Sequence, residues 1–430
     1  MFNLLKQLKE LETPIKIGIV GIGSIGRGMV LQSNLTPNID CMAIADLNMD
    51  KAIAAAELFN CPHTIVESME EMNSAIKNGK MAVCEDGDLI ARCDLLDVFV
   101  EATSSIVGGG NYGVTAIQHD KHLIMMNYEA DLMFGSYLMD LAASKNLIYT
   151  VCDGDQPAVL KRLIDEIEFM QFKLVIAGNM KGFHDLYSNP TKIIPEADKR
   201  DLDYKMCASY TDGSKLNVEM AVLANGINAR TAVPGMIGPR IGDIQEVLTA
   251  YNFETIWDGK HPLVDYVLGA RPSGGVFAIG YTDHPYQQRT LSWLPPNMGQ
   301  GPFYLFYRPY HLCHFESIAT IAEAIVNHRP VLKPDYGFKT NVYAYAKKNL
   351  KKGDLLDGMG GYACYGLIEN CFENVVQPGI PICLAEDVTL KRDIAKDEKI
   401  YLDDVVFSED NEGIELFHLS VFSAEKHTLV

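Results

Sequence analysis

Lys16-Ile17-Gly18-Ile19-Val20-Gly21-Ile22-Gly23-Ser24-Ile25-Gly26-Arg27-Gly28 is an apolar, β-rich run that breaks into closely spaced glycines. Such a run reads as a buried strand entering a phosphate-holding loop and then a helix. Gly21, Gly23 and Gly26 match G-x-G-x-x-G, in which the first glycine permits the tight turn, the second lets backbone reach a pyrophosphate and the third lets helix pack on strand. Ser24 and Ile25 open the helix, whose positive N-terminus faces the phosphates. Twenty residues beyond Gly26 a second apolar run, Cys41 to Ala45, ends in Asp46, placed to accept the adenosine ribose hydroxyls of a dinucleotide. The plainer reading is a glycine-rich turn in an ordinary parallel sheet; strand, loop, helix and acid in register favour the nucleotide site.

With 430 residues the chain exceeds a single core, and two or three domains are expected. Its 37 basic and 56 acidic residues leave a net charge of −19. That balance argues against nucleic acid or an anionic membrane as partner, so an anionic substrate must be met by locally placed Lys or Arg. The ten cysteines form no C-x-x-C pair and lie mostly in apolar runs, which predicts reduced thiols rather than disulfides or zinc, and a cytoplasmic location. Leu4, Leu5, Leu8 and Leu11 recur at helical spacing, but Lys6, Lys9, Glu10 and Glu12 interrupt them. The stretch is an amphipathic helix docked on the first domain, not a secretory segment. No run of eighteen apolar residues occurs, so no membrane span is expected.

Beyond Asp46 a helix, 51–58, leads into an insertion-like stretch, 61–93, with a helix at 67–77 and a polar turn at 85–88. Alternation resumes with a strand at 97–102, a helix to His119, a strand at 122–126, a helix at 131–145 and a strand at 147–151. Strands alternating with helices of this length make a Rossmann-type, doubly wound parallel sheet whose ligands sit beyond the carboxyl ends of the strands. Glu101 to Ser105 and Asn127 to Asp131 occupy such ends, which makes Thr103, Asn127 and Glu129 candidates for cofactor contact. A turn at 153–157 then feeds a helix to Met170 and a strand at 172–177. Up to about Asp335, strand-like runs mix with few helices, an α+β domain that carries the reacting groups. Its clearest helix is 214–225.

Residues 347–356 and 391–400 repeat one another in kind, 44 positions apart. Two copies fit a small β-fold with pseudo-twofold symmetry. The Lys and acid positions of the repeat read as solvated turn residues.

The stretches Met126 to Asp131, Asp212-Gly213-Ser214-Lys215 and Gly301 to Glu316, with the second repeat copy continued through Val405, carry a resemblance over nearly the whole length. The chain resembles the homoserine-dehydrogenase-like oxidoreductases with a C-terminal SAF (β-clip) domain. Among them it is similar to the deoxyxylulose-phosphate reductoisomerase-like enzymes of some bacteria, which reduce and rearrange a phosphorylated ketose with NADPH. It departs from true homoserine dehydrogenases. They place a lysine directly after the asparagine matching Asn127, where this chain has Tyr128 and Glu129. Their acid and lysine are spaced by four, whereas Asp212 and Lys215 are spaced by three.

Hydride transfer needs a group that supports charge on a carbonyl oxygen or moves its proton, and Lys215 is the first candidate. Its helix is apolar almost all round and therefore buried, which gives Lys215, Asn217 and Glu219 a reason to be there; the alternative is a surface i,i+4 pair of Lys215 with Glu219. Asp212 is a catalytic partner and the N-cap of that helix. Lys181 follows a strand end and Lys192 a loop after Asn189-Pro190; each is a site lysine or a solvated loop lysine. Between Arg308 and Glu316 a guanidinium, two imidazoles and a carboxylate stand among aromatic residues, the make-up of a substrate pocket. There Arg308 can grip phosphate or carboxylate bidentately, and His311 and His314 line the pocket. With Glu316 the two histidines could also hold a divalent metal, but core hydrogen bonding is the commoner use of His-x-x-His and no metal is assigned. Arg289, with Arg271, Asp283 and His284, is of second rank.

The expected architecture is thus a nucleotide domain to residue 152, an α+β catalytic domain over 153–335 and a SAF-like β-domain over 336–430. The expected activity is hydride transfer with NAD or NADP to or from a small hydroxy or oxo compound, anionic if it is a phosphorylated sugar. Asp46 favours NAD, because it would repel a 2′-phosphate. Homoserine-type amino-alcohol oxidation and a non-catalytic dinucleotide sensor or scaffold are the alternatives. A homo-oligomer, dimer or tetramer, is expected.

Overall fold

The computed structural model describes residues 3–200, 202–294, 298–371, 378–408 and 411–428. The chain divides into two compact units, one of Met1–Ala158, Leu312–Lys333 and Leu416–Ala424, the other of Val159–His311, Pro334–Glu415 and Glu425–Val430.

The first unit alternates helix and strand: α1 (Leu4–Lys9), β1 (Ile15–Val20), α2 (Ser24–Leu35), β2 (Ile39–Ala45), α3 (Met49–Leu58), β3 (His63–Ile65), α4 (Met69–Lys77), β4 (Met81–Cys84), α5 (Gly87–Arg92), β5 (Val98–Glu101), α6 (Ile106–Gln118), β6 (His122–Met125), α7 (Tyr128–Ser144) and β7 (Tyr149–Val151). All seven strands run parallel in the order β3-β4-β2-β1-β5-β6-β7. The order reverses between β1 and β5, and it is beyond the carboxyl ends of such a switch point that sheets of this kind take their ligands. The stretch 61–93 is not an insertion: β4 is an inner strand paired to β2 and β3. Its four residues are buried on both faces, so they lack the alternation by which a strand is read. Leu4 and Leu8 of α1 join one apolar cluster with Ile15, Ile17, Met29 and Val30, and Ile318 and Ile321 of the helix His314–Val326 complete it.

In the second unit α8 (Gln156–Phe169) is followed by β8 (Lys173–Lys181), α9 (Pro190–Arg200), α10 (Tyr204–Asp212), α11 (Ser214–Ile227), β9 (Leu263–Leu268), β10 (Val276–Tyr281) and β11 (Phe303–Arg308). The strands form a mixed sheet, β11-β10-β8-β9. Strand β8 runs four residues past the expected end at Ala177. Gly178 permits this, because the ring of Phe277 lies 2.4 Å from where its Cβ would be.

The remaining strands are β12 (Thr340–Ala346), paired to β14 (Cys364–Asn370), and β13 (Leu355–Asp357), paired to β15 (Glu386–Leu390), which pairs β16 (Val405–Val406). Here the repeat becomes geometry. Leu350 and Ile394, equivalent in the two copies, exchange both backbone hydrogen bonds, 2.9 and 3.0 Å. Around them backbone-donated bonds come in matched pairs: Lys352 N donates to Asp393 Oδ1 and Lys396 N to Asn349 Oδ1, both 2.9 Å. Gly353 N donates to Leu390 O and Asp397 N to Ala346 O, both 2.8 Å. Gly353 and Asp397 share the left-handed conformation, with φ 88° and 66°. A local twofold axis therefore passes between Leu350 and Ile394. The chain closes on the helix Glu412–Thr428, which the strand-and-turn reading did not include.

Candidate functional site

In the first unit the glycines of the loop behave as three different parts. Gly21 has φ 94°, and a Cβ there would meet Ala102 O at 2.4 Å and Thr103 N at 2.6 Å. The turn thus rests on the end of β5 at the switch point. A Cβ on Gly26 would fall 1.9 Å from Gly21 O, whereas one on Gly23, the N-cap of α2, would meet nothing within 4 Å. Tight turn, close packing and an open approach at a helix N-terminus are the three roles a pyrophosphate cradle needs, and the site fits a dinucleotide on that ground. Ser24 and Ile25 form the first turn of α2 beside it.

Asp46 stands at the end of β2. One carboxylate oxygen accepts from Ile22 N in the loop and the other from Asn48 N, at 2.8 and 2.9 Å. The acid is held against the loop before any ligand arrives. Thr103 N donates to Glu101 Oε1 at 2.9 Å. Asn127 caps α7 through Ala130 N and donates to Ser105 O, each at 3.0 Å, and Glu129 is buried behind it. Gly21, Gly23, Ser24, Ile25, Gly26, Asp46, Thr103, Asn127 and Glu129 are thus gathered at the carboxyl ends of β1, β2, β5 and β6. His314 belongs to this unit as well: its ring occupies the space over Gly28 of α2, and burial lowers its pKa, so the neutral imidazole is favoured.

Two further acids of this unit were not singled out from sequence. Glu101 is buried, and desolvation, outweighing the hydrogen bonds from Thr103, raises its pKa to about 8. Asp131 accepts from the Tyr149 hydroxyl, and burial raises it to about 7. Both lie in stretches read from sequence as strand ends, but their burial has no local signal, because an acid at a strand end or in a first helical turn is ordinarily solvated.

In the second unit α11 is buried along nearly its whole length. Lys215 is 7% and Glu219 4% exposed, which excludes the surface-pair reading. Ser214 Oγ accepts from Gly366 N, Asn217 Oδ1 from Ile368 N, and Asn225 Oδ1 from Thr340 N, at 2.8, 2.8 and 2.9 Å. One face of the helix is therefore committed to β14 and β12, which accounts for Asn217. Lys215 and Glu219, one turn apart, share a different side of the helix.

Gly213, not Asp212, holds the N-cap position of α11, with φ 84°. His184 Nε2 donates to Asp212 O at 3.0 Å and would meet a Cβ on Gly213 at 2.4 Å. The Tyr266 hydroxyl is 3.4 Å from His184 Nδ1, and burial lowers the histidine pKa. Lys181 ends β8, and its charge also lowers the His184 pKa. His184 and Tyr266 were missed from sequence; single residues on a loop and a strand carry no motif.

Arg308, Val276, Asn179 and Tyr266 pair in one row across the sheet, so Arg308 shares an edge of it with Lys181. Its guanidinium lies 4.5 Å over the Tyr310 ring, and His311 Nδ1 donates to Gly274 O at 2.8 Å. Lys192 is tied to Tyr187 O at 3.0 Å, with Asp185 beyond. Arg289 stands apart. Its helix, Pro285–Leu291, follows Tyr281, which pairs with Lys173 at the far end of β8 from Lys181. Among the described residues no three His, Cys, Asp or Glu side chains are gathered to hold a metal. All ten cysteines are free, and no helix of the described residues is long and apolar enough to cross a membrane.

Residues 154–317 match the family model of the catalytic domain of oxidoreductase DRL. Over 158 residues the chain is 25% identical to 1-deoxy-D-xylulose 5-phosphate reductoisomerase of Endomicrobium trichonymphae, covering 36% of this chain and 38% of that relative's length. Among solved structures it is similar to biliverdin reductase of Synechocystis sp. PCC 6803 in complex with biliverdin and NADP+, with 12% identity, 74% of this chain, 92% of that one and a TM-score of 0.39. It is also similar to a putative NADPH-dependent oxidoreductase of Desulfitobacterium hafniense, with 7% identity, 74% and 90% coverage and a TM-score of 0.41.

Proposed function

We propose that the chain is a reductoisomerase-like oxidoreductase that uses NAD(P) to move a hydride to or from a small hydroxy or oxo compound, with a phosphorylated sugar as the substrate class to try first. The observation that carries the reading is the cradle of Gly21, Gly23 and Gly26 with Asp46 held against it, preceding a segment similar to an oxidoreductase catalytic domain. When bound, the nicotinamide supplies or takes the hydride. The chain's own part is binding and charge. Gly23 and the N-terminus of α2 receive the pyrophosphate, and Asp46 accepts the ribose hydroxyls. Lys215 holds the substrate oxygen and gives or takes its proton, with Glu219 as its partner on the same helix face; Lys181 adds positive charge, and Arg308 receives an anionic group. A sensor has no use for a buried Lys and Glu on so apolar a helix. The β-module built on the repeat is read as SAF-like, the functional borders as residues 152 and 335, and the working protein as a homo-oligomer.

Asp46, fixed at the end of β2 by Ile22 N and Asn48 N, would repel a 2′-phosphate bound beside it, and NADH is the expected cofactor. Two unit charges about 4 Å apart at an effective dielectric near 20 interact by roughly 4 kcal/mol. Titrating NADH and NADPH into the protein tests this: tighter NADH binding is expected, and equal binding would mean that Arg27 or Lys51 overrides Asp46. The function is tested by single-turnover oxidation of bound cofactor against short phosphorylated ketoses, aldehydes and keto acids. Lys215→Met should lower turnover by about a hundredfold or more and leave cofactor affinity in place. Inertness of the wild type to every compound would favour a sensor.

A further inference from the structure

Lys347, the first residue of the repeat, is not a solvated turn residue. It is 6% exposed, and its ammonium makes three hydrogen bonds: to Asp212 Oδ2 at 2.8 Å, Ser188 O at 2.6 Å and Gly361 O at 2.7 Å. All three of its protons are used. Asp212 is 0% exposed, and its other oxygen accepts from Ser214 N at 2.8 Å, the first residue of α11. The pair therefore sits on the hinge between α10 and α11, where Gly213 turns the chain left-handed and His184 fills the space beside it. Lys215 is the next residue but one. The segment similar to an oxidoreductase catalytic domain ends at residue 317, thirty residues before Lys347.

We infer that Lys347 and Asp212 are positioning residues: the C-terminal β-module reaches into the catalytic segment and sets the conformation of the α10–α11 junction, and through it the place of Lys215. Asp212 is then not a catalytic acid. Both of its oxygens are committed, one to a cation and one to the helix it precedes. That Lys215 does chemistry rests on the function proposed above; that the pair places it does not.

The experiment uses the full chain with Asp212→Asn, which keeps an oxygen for Ser214 N but turns a donor toward Lys347, and with the neutral pair Asp212→Asn/Lys347→Met. Removing both charges of a buried pair usually leaves a protein folded, so the double variant guards against collapse of the single one. Two readouts need no substrate: amide exchange by mass spectrometry, and the rate at which acetic anhydride acylates Lys215. Exchange over 213–218 and acylation of Lys215 are expected to rise by about tenfold or more, with the parallel sheet of the first unit unchanged. No change at either place, or a rise spread evenly over the chain, overturns the inference. In any substrate assay that gives turnover, the neutral pair should lower kcat with cofactor affinity kept, and a normal kcat despite a loosened junction would equally overturn it. A wild type with no turnover defeats the proposed function and leaves the exchange and acylation results to decide this one.

Discussion

Glu101 shows how much a single buried acid can say about pH. The unfolded chain ionises it near the ordinary 4.5 and the folded chain only near 8. Between those values unfolding releases a proton, so the contribution of Glu101 to stability is whole below pH 4.5 and is lost as pH rises toward 8. Each unit of the shift is worth about 1.4 kcal/mol, a few kcal/mol in all. Asp131 and Asp265, raised by burial to about 7 and about 6, act in the same direction. Glu101→Gln should therefore gain on the wild type steadily from pH 5 to pH 8 in urea unfolding, and a constant difference across that range would show that Glu101 titrates normally. Lys215 was legible as a buried group because its neighbours are apolar. Lys347 was not: Lys347-Lys348-Asn349-Leu350-Lys351-Lys352 reads as a solvated turn, and its partner Asp212 lies 135 residues away. Local pattern carries no trace of a contact made at that distance.

At the scale of elements, the glycine loop, its strand and its helix could be read because each residue type there has one steric reason to be present. Strand β4 could not, since burial on both faces erases the period. The repeat at 347–356 was legible as a repeat, and its twofold axis makes a quantitative prediction. Asn349 and Asp393 play the same part, each accepting from a backbone N–H of the other copy. Truncation of either to Ala should cost about 1 kcal/mol. The exposed contact of Asp393 with Lys351 adds little to that. Chemical unfolding of the two variants should agree within about 0.5 kcal/mol; a clear inequality would make the symmetry one of shape alone.

At the scale of the molecule, each unit is assembled from segments far apart in the chain. Leu416, in the closing helix, fills the space over Gly110 beside Phe134, packing on α6 and α7. Burying a leucine is worth about 1.5–3 kcal/mol. A chain stopped at residue 408 should melt several degrees lower and exchange faster over α6 and α7, and an unchanged melt would mean the closing helix is dispensable. The same discontinuity governs how the protein is made. All seven strands of the first unit have been synthesised once Val151 is translated, but Ile318 and Ile321, which share an apolar cluster with Met29, come about 170 residues later, and Leu416 about 265 residues later. At about 5–20 residues per second the nascent sheet waits tens of seconds with an apolar flank bare, and its safe arrival depends on what shields that flank during synthesis.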